Sequence, residues 1–320
     1  MRRCTQALTV QAAAFAAALA TAHAAPPEPT VPDAAGGAAA ARDTSRIVSI
    51  GGAITEILYA LGLERHVVGV DSTSLRPPQS LRDKPNVGYM GRLSPESVLS
   101  LNPSLILAME GTGPKETVAA IQKAGVRFVL VPERFTGDGV IEKIRLVAAA
   151  AGMDKRGKCL ARTVAADLEA LAWLRTDVEH PLRATFLLSL IGGRAEVAGR
   201  ATAADGIMKL AGAVNAVTEH EGYKALSDEA IVAARPDFVL AMERNSNPLD
   251  SRTVFAHPGF ARTPAAKRHA FAAVDGVYHL GFGPRTALAA RDLASTLYPK
   301  LVIEKFPSEV DAELGEACRG

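Results

Sequence analysis

Tyr89 and Arg92 place an aromatic hydroxyl beside a cation, just after the turn Pro85-Asn86-Val87-Gly88. Arg134, Arg194, Arg200, Arg244 and Arg285 fall in stretches that read as strand-end loops. A guanidinium grips a carboxylate through two parallel hydrogen bonds, so a cleft lined by such loops suits a flat apolar ligand with carboxylates. Glu96 and Glu229 form a second pair, each in the first turn of an expected helix, where an acid complements the helix dipole even without a partner. The chain has no Gly-x-Ser-x-Gly, no His-Glu-x-x-His and no Walker motif, and its seven histidines are scattered. That pattern argues against a hydrolase, a nucleotide enzyme and a zinc carrier. The segment Gly281-Phe282-Gly283-Pro284-Arg285 lacks the third glycine of a dinucleotide fingerprint.

These residues need elements to hold them. Ser94-Pro95-Glu96 combines an N-cap, a proline suited to the first helical position and a first-turn acid, and Asn102-Pro103 ends the helix. Leu105–Met109 then reads as a short buried strand. The pattern returns 133 positions on: Leu93, Ser94, Glu96, Pro103, Leu107, Ala108, Met109 and Glu110 match Leu226, Ser227, Glu229, Pro236, Leu240, Ala241, Met242 and Glu243. Such self-similarity indicates two related α/β halves. Met109 and Met242, which recur at the two strand ends, read as core rather than as ligands.

Strands and helices alternate along the whole chain, which predicts doubly wound, Rossmann-like lobes with mainly parallel sheets. Residues 46–152 form the expected N-terminal lobe and 179–320 the expected C-terminal lobe. Residues 153–178 form a single long connecting helix, with apolar Leu160, Val164, Leu168, Leu171 and Leu174 and no glycine after Gly157. Each half is expected to open with strand, Gly-Gly and helix. Residues 72–84 read as a loop, 265–270 as a helix, 277–280 as a strand and 285–300 as the last helix. Ligands of open α/β sheets sit beyond the carboxyl ends of the strands. The expected cleft loops are therefore 51–56, 71–78, 88–92, 110–114, 132–135, 191–200, 243–246 and 281–285.

At 320 residues the chain can bury two sizeable cores, and a net charge of +2 gives no sign of a nucleic-acid partner. Arg2 and Arg3, an apolar stretch over 8–20 and Ala22-His23-Ala24 make residues 1–24 an expected signal peptide. No cysteine follows it, so it lacks the mark of a lipoprotein signal. Residues 25–45, rich in Ala, Pro and Gly, read as a disordered spacer. Two cysteines remain beyond the signal, Cys159 and Cys318, and the sequence leaves open whether they pair.

Several stretches carry a family resemblance: RIVSIGGAITEILYALG, VDSTSLRPP, NVGYMGRLSPESVLSLNPSLIL, TAADGIMKLAG, ALSDEAIVAARPD and LGFGPRTALAARDLA. Over residues 46–298 the chain resembles the periplasmic haem-binding proteins of bacterial ABC importers, within a wider class that also binds siderophores and cobalamin. The resemblance implies a periplasmic protein, expected to be a monomer, that captures ferric haem between its lobes and does no chemistry on it; some relatives hold a further haem through a His, and none stands in the 189–200 loop, so one haem is expected. The resemblance puts Tyr89 on the iron, since a phenolate is a hard anionic ligand for ferric iron. The cleft reading adds Arg92, Arg194, Arg244, Phe282 and Arg285 as expected haem contacts, Arg92 first among the cations, with an ordinary surface position the alternative for Arg194 and Arg244. Filling of the core is the alternative for Phe282. Family members often carry Arg two residues after the tyrosine, where this chain has Gly91. Glu96 and Glu229 are implied to dock on the two subunits of a permease dimer, whose ATPase supplies the energy. A ferric siderophore or cobalamin is the alternative cargo, and a haem sensor, a scaffold protein or an enzyme comes further behind.

Overall fold

Short apolar runs bounded by glycine or polar residues form the strands, and the stretches between them cross back as helices. The computed structural model describes residues 43–243, 249–301 and 318, so the expected signal peptide, nearly all of the expected spacer and Arg244 lie outside the described residues. The first half runs β1 Ile47–Ile50, α1 Gly52–Ala60, β2 Val67–Val70, α2 Pro78–Asp83 and a 3-10 turn Met90–Arg92. It continues with α3 Pro95–Leu99, β3 Leu105–Met109, α4 Lys115–Lys123, β4 Arg127–Val131 and α5 Gly137–Ala150. Its four strands form one parallel sheet in the order β2-β1-β3-β4. Every residue of β1 and β3 is buried, as central strands covered on both faces must be.

Helix α6, Asp154–Thr176, covers the expected stretch and spans about 34 Å at 1.5 Å per residue. It buries Leu160, Ala161, Val164 and Leu171 on one side. It packs against α5 of the first half and against two helices of the second. The second half comprises β5 Arg183–Ile191, β6 Arg194–Ala198, α7 Ala203–Leu210, β7 Val214–Asn215, β8 Tyr223–Leu226, α8 Asp228–Ala234 and β9 Phe238–Glu243. Then come α9 Ser251–Ala256, α10 Pro258–Ala261, α11 Pro264–Arg268, β10 Phe271–Asp275, α12 Gly276–Leu280 and α13 Thr286–Leu297. Its sheet has the order β10-β9-β5-β6-β8, with β7 also paired to β5. The architecture is the expected two-lobe α/β fold.

The repeat is present in three dimensions. Ser94 caps α3 by accepting from Ser97 N at 3.2 Å, and Ser227 caps α8 by accepting from Ala230 N at 3.3 Å. Strands β3 and β9 each lie beside the first strand of their half.

Four local expectations are corrected. Gly192 and Gly193 do not lead into a helix. At φ 56° and 74° they form a tight turn, and the chain returns as β6, antiparallel to β5. Two left-handed residues in succession suit a two-residue hairpin turn, which glycine makes without strain. The second sheet is therefore mixed, and 191–200 is largely strand rather than loop. The final strand is Phe271–Asp275, not 277–280. The Asp275 carboxylate accepts from Val277 N at 2.8 Å and Tyr278 N at 3.2 Å, and that cap starts α12 where a strand was expected. The loop 72–84 contains α2, opened by Pro78 in the first turn. The last helix is shorter than expected. Cys159 and Cys318 are joined as a disulfide with a Cα–Cα distance of 5.7 Å.

Candidate functional site

A cavity of about 1070 Å³ opens between the carboxyl ends of the two sheets. That is the place where open α/β sheets bind ligands, and its size is slightly above the ~300–1,000 Å³ usual for small-molecule sites. The first half lines it with Gly51, Gly52 and Glu56, the loop around Leu75 and Arg76, Tyr89 and Met90, the strand end Met109-Glu110, Glu133 and Phe135. The second half contributes Met242, Glu243 and residues of α12 with its flanks, among them Asp275, Val277 and Leu280. The repeat thus delivers Met109-Glu110 and Met242-Glu243 to the cavity from both sheets.

Tyr89 is the lining tyrosine. It is 56% exposed, and its hydroxyl makes no hydrogen bond to a described residue. The other four of the five tyrosines differ. Tyr59, Tyr223, Tyr278 and Tyr298 are all pushed above the ordinary phenol value, chiefly by burial. Tyr278 also donates to Asp292 Oδ2 at 2.9 Å, and Tyr298 to Gly212 O at 2.9 Å. They are committed phenols; Tyr89 alone of the five presents a free hydroxyl to the cavity wall.

Gly91 makes room for that ring. A Cβ at position 91 would lie 2.8 Å from Tyr89 Cε1 and 3.4 Å from Cδ1. A side chain here forces the ring to turn, at roughly 0.5–1.5 kcal/mol if it leaves its rotamer. Gly91→Ala should therefore weaken ligand binding by about 2- to 10-fold, without moving the melting temperature, because the ring is exposed. Titrations and melting curves of the two proteins check this.

Polar contacts knit the two halves together around the cavity. Arg285, at the start of α13, donates from Nη2 and Nε to the two oxygens of Glu56 on α1, at 2.7 and 3.1 Å. Its guanidinium also lies 5.2 Å from the Tyr278 ring centroid. Lys143 on α5 has a fully buried side chain; its Nζ reaches Glu133 Oε1 at 2.6 Å and the carbonyl of Phe282 in the other half at 3.0 Å.

The expected site residues separate under this geometry. Tyr89 lines the cavity. Arg92 ends the 3-10 turn on the exposed side and is not on the wall. Arg194 opens β6, exposed and away from the cavity. Arg134 and Arg200 are engaged with Glu142 and Glu221 at the surface. The two GFGPRT residues, Phe282 and Arg285, are not among the lining residues. Phe282 is 1% exposed and packs edge-on against Phe135 with centroids 5.2 Å apart, so Phe135 rather than Phe282 meets the cavity. Arg285 is held by Glu56 and ties the halves together instead of waiting for a ligand. Sequence reasoning missed Arg76, Glu56 and Lys143. Lys143 had left a sign: it stands on the Val140, Ile144, Val147 stripe of α5, where the helical period places the buried face.

Glu96 and Glu229 are exposed in the first turns of α3 and α8. Each carboxyl is held below its ordinary value, first by its own backbone N–H and then by the N-cap serine, Ser94 or Ser227. Both are therefore anions at neutral pH, one on each half.

Two α/β halves, one connecting helix and a wide cleft at the strand ends define a ligand-capturing binding protein. The chain belongs to the periplasmic binding protein family, whose profile matches residues 47–278. It is similar to the apo form of the periplasmic haem-binding protein RhuT from Roseiflexus sp. RS-1, at 39% identity and a TM-score of 0.75, covering 80% of this chain and 99% of that one. It is also similar to the periplasmic haem-binding protein HutB of Vibrio cholerae, at 32% identity and a TM-score of 0.72 over 80% of this chain and 100% of that one. The ABC transporter substrate-binding lipoprotein YvrC of Bacillus subtilis (strain 168) is 26% identical over 261 residues, 81% of either chain. The family consists of exported substrate-binding proteins that serve ABC permeases.

Proposed function

We propose that this protein captures ferric haem in its interlobe cleft in the periplasm, with Tyr89 as the axial ligand, and hands it to an inner-membrane ABC permease. The observation that carries the reading is Tyr89 itself, an exposed and uncommitted phenol on the wall of a large cavity. A porphyrin supplies four donors to its own iron, so a single protein phenolate completes an axial position. Met90, Met109, Met242, Leu75, Val277 and Leu280 offer apolar surface to the ring faces. The haem leaves unchanged, and the permease-bound ATPase drives its passage. The similarity to RhuT and HutB supports the same cargo.

A visible absorption titration tests this. Ferric haem should give a saturable one-to-one spectrum of phenolate-bound iron. Cobalamin and a ferric siderophore, titrated in parallel, should give no saturable binding. A protein that binds either of them and ignores haem overturns the reading.

Docking is proposed to use Glu96 and Glu229, whose matching positions on the two halves suit a two-fold permease. Glu96→Ala and Glu229→Ala should each weaken permease binding by about 10-fold while leaving haem affinity unchanged. Permease-containing vesicles and haem-loaded protein provide the assay. Unaltered permease binding by the double variant rules the pair out.

A further inference from the structure

The VDSTSLRPP stretch is built as a platform. The Asp71 carboxylate is buried and accepts from Gly51 N at 2.9 Å, Thr73 N at 3.1 Å, Thr73 Oγ1 at 2.8 Å and Ser74 Oγ at 2.9 Å. Ser74 is buried too, and its hydroxyl meets Thr55 Oγ1 at 2.7 Å. On the far side of the crest, buried Ser80 donates to Ser74 O at 2.7 Å and Pro77 O at 2.8 Å. The base of this loop is tied to the loop of Tyr89, because Ser72 N donates to Gly88 O at 2.9 Å and Val87 N to Val70 O at 2.9 Å. Between the anchors stand Leu75, 45% exposed, and the exposed Arg76, both on the cavity wall. A buried, satisfied polar network holds its crest in one place, so a ligand meets a loop that is already ordered.

The charges on the wall sharpen the point. Apart from Tyr89, its other ionisable lining residues are carboxylic acids: Glu56, Glu110, Glu133, Glu243 and Asp275. Glu56 is neutralised by Arg285 and Glu133 by Lys143, Glu110 accepts from Glu133 N, and Asp275 caps α12. Arg76 makes no ion pair with any described residue. Among the described wall residues it is the cation left for a ligand.

Building on the haem reading above, we propose that Arg76 recognises the ligand's carboxylates, while Leu75 covers the adjoining apolar edge of the ring. The loop then selects a ring that carries carboxylates over one that carries amides. This moves the principal carboxylate contact from Arg92, which is off the wall, to a residue fixed relative to Tyr89.

The test compares wild type with Arg76→Gln for two probes, ferric haem and its dimethyl ester, in which the carboxylates are masked. Charge-assisted hydrogen bonds imply that the substitution weakens haem by about 10- to 100-fold and changes the ester by less than about 2-fold, with the iron spectrum of the haem complex retained. Wild type should also prefer haem to the ester. A variant that binds haem as tightly as wild type overturns the inference alone. Equal losses for haem and ester show that Arg76 only packs against the ring, which also overturns it. A wild-type protein that binds no haem removes the proposed function and this inference together. Arg76 is exposed, and matching thermal melts of the two proteins exclude misfolding.

Discussion

Replacing Tyr89 by alanine should abolish the phenolate–iron spectrum and lower ferric haem affinity by at least about 100-fold. The magnitude follows from removing a direct metal ligand, since loss of an outer partner of a ligand already costs about 10- to 100-fold. No other tyrosine can take over. Tyr59, Tyr223, Tyr278 and Tyr298 are off the wall, and burial holds each in its protonated form. Stability should hold, because the side chain is 56% exposed and donates no hydrogen bond to a described residue. Tyr89→Phe separates ligation from stacking. It keeps the ring and removes the oxygen, so it should lose the spectrum as alanine does while retaining part of the affinity. A phenylalanine variant with the wild-type spectrum would move the ligand elsewhere. The thioethers of Met90, Met109 and Met242 are then the next donors on the wall.

Lys143→Met should lower the unfolding free energy by about 3–5 kcal/mol, the usual cost of leaving one partner of a buried ion pair alone. The change strands Glu133, removes the donor to Phe282 O and cuts a link between the halves. Burial holds the Lys143 ammonium below its ordinary value and the Glu133 carboxyl above its own, although they stand 2.6 Å apart. The signs then follow. A depressed lysine binds its proton less firmly folded than unfolded. Its contribution is full above the unfolded value near ~10.4 and is given up as pH falls through the depressed folded value. A raised glutamate contributes fully below its unfolded value near ~4.3 and loses that contribution as pH rises through the raised folded value. Across neutral pH the charged pair is therefore a desolvation cost that fixes geometry rather than a source of stability. The double variant Lys143→Met, Glu133→Gln should accordingly recover most of the loss. Urea unfolding at neutral pH measures all three proteins. A single variant within about 1 kcal/mol of wild type would contradict the burial argument.

Much of this architecture was written in local patterns. The buried strands Ile47–Ile50 and Leu105–Met109 are uninterrupted apolar runs, and the helix Asp154–Thr176 has neither proline nor a late glycine to stop it. The 133-residue repeat announced two halves because capping serines, first-turn acids and strand ends recur in register. Other features depended on contacts that no window of sequence contains. Gly192-Gly193 reads alike as a strand-to-helix turn or a hairpin, and pairing with β6 chooses the hairpin. Asp275 caps a helix whose residues, Val277 to Leu280, have strand-like composition.

The same division holds at the site. Sequence singled out Tyr89 and the matched acids Glu96 and Glu229, because a turn before an aromatic hydroxyl and a helix start are local signals. It left the places of the cations and the aromatic open, because these are set by partners far along the chain. Arg285 is claimed by Glu56, 229 positions away, and Lys143 by a carbonyl 139 positions away. Phe282 turns inward onto Phe135, and Arg76 faces the cavity because buried Asp71, Ser74 and Ser80 hold its loop from behind. A guanidinium in a sequence is only a charge. Whether it is spent on a neighbour or left for a ligand is decided by which acids the folded chain brings within reach.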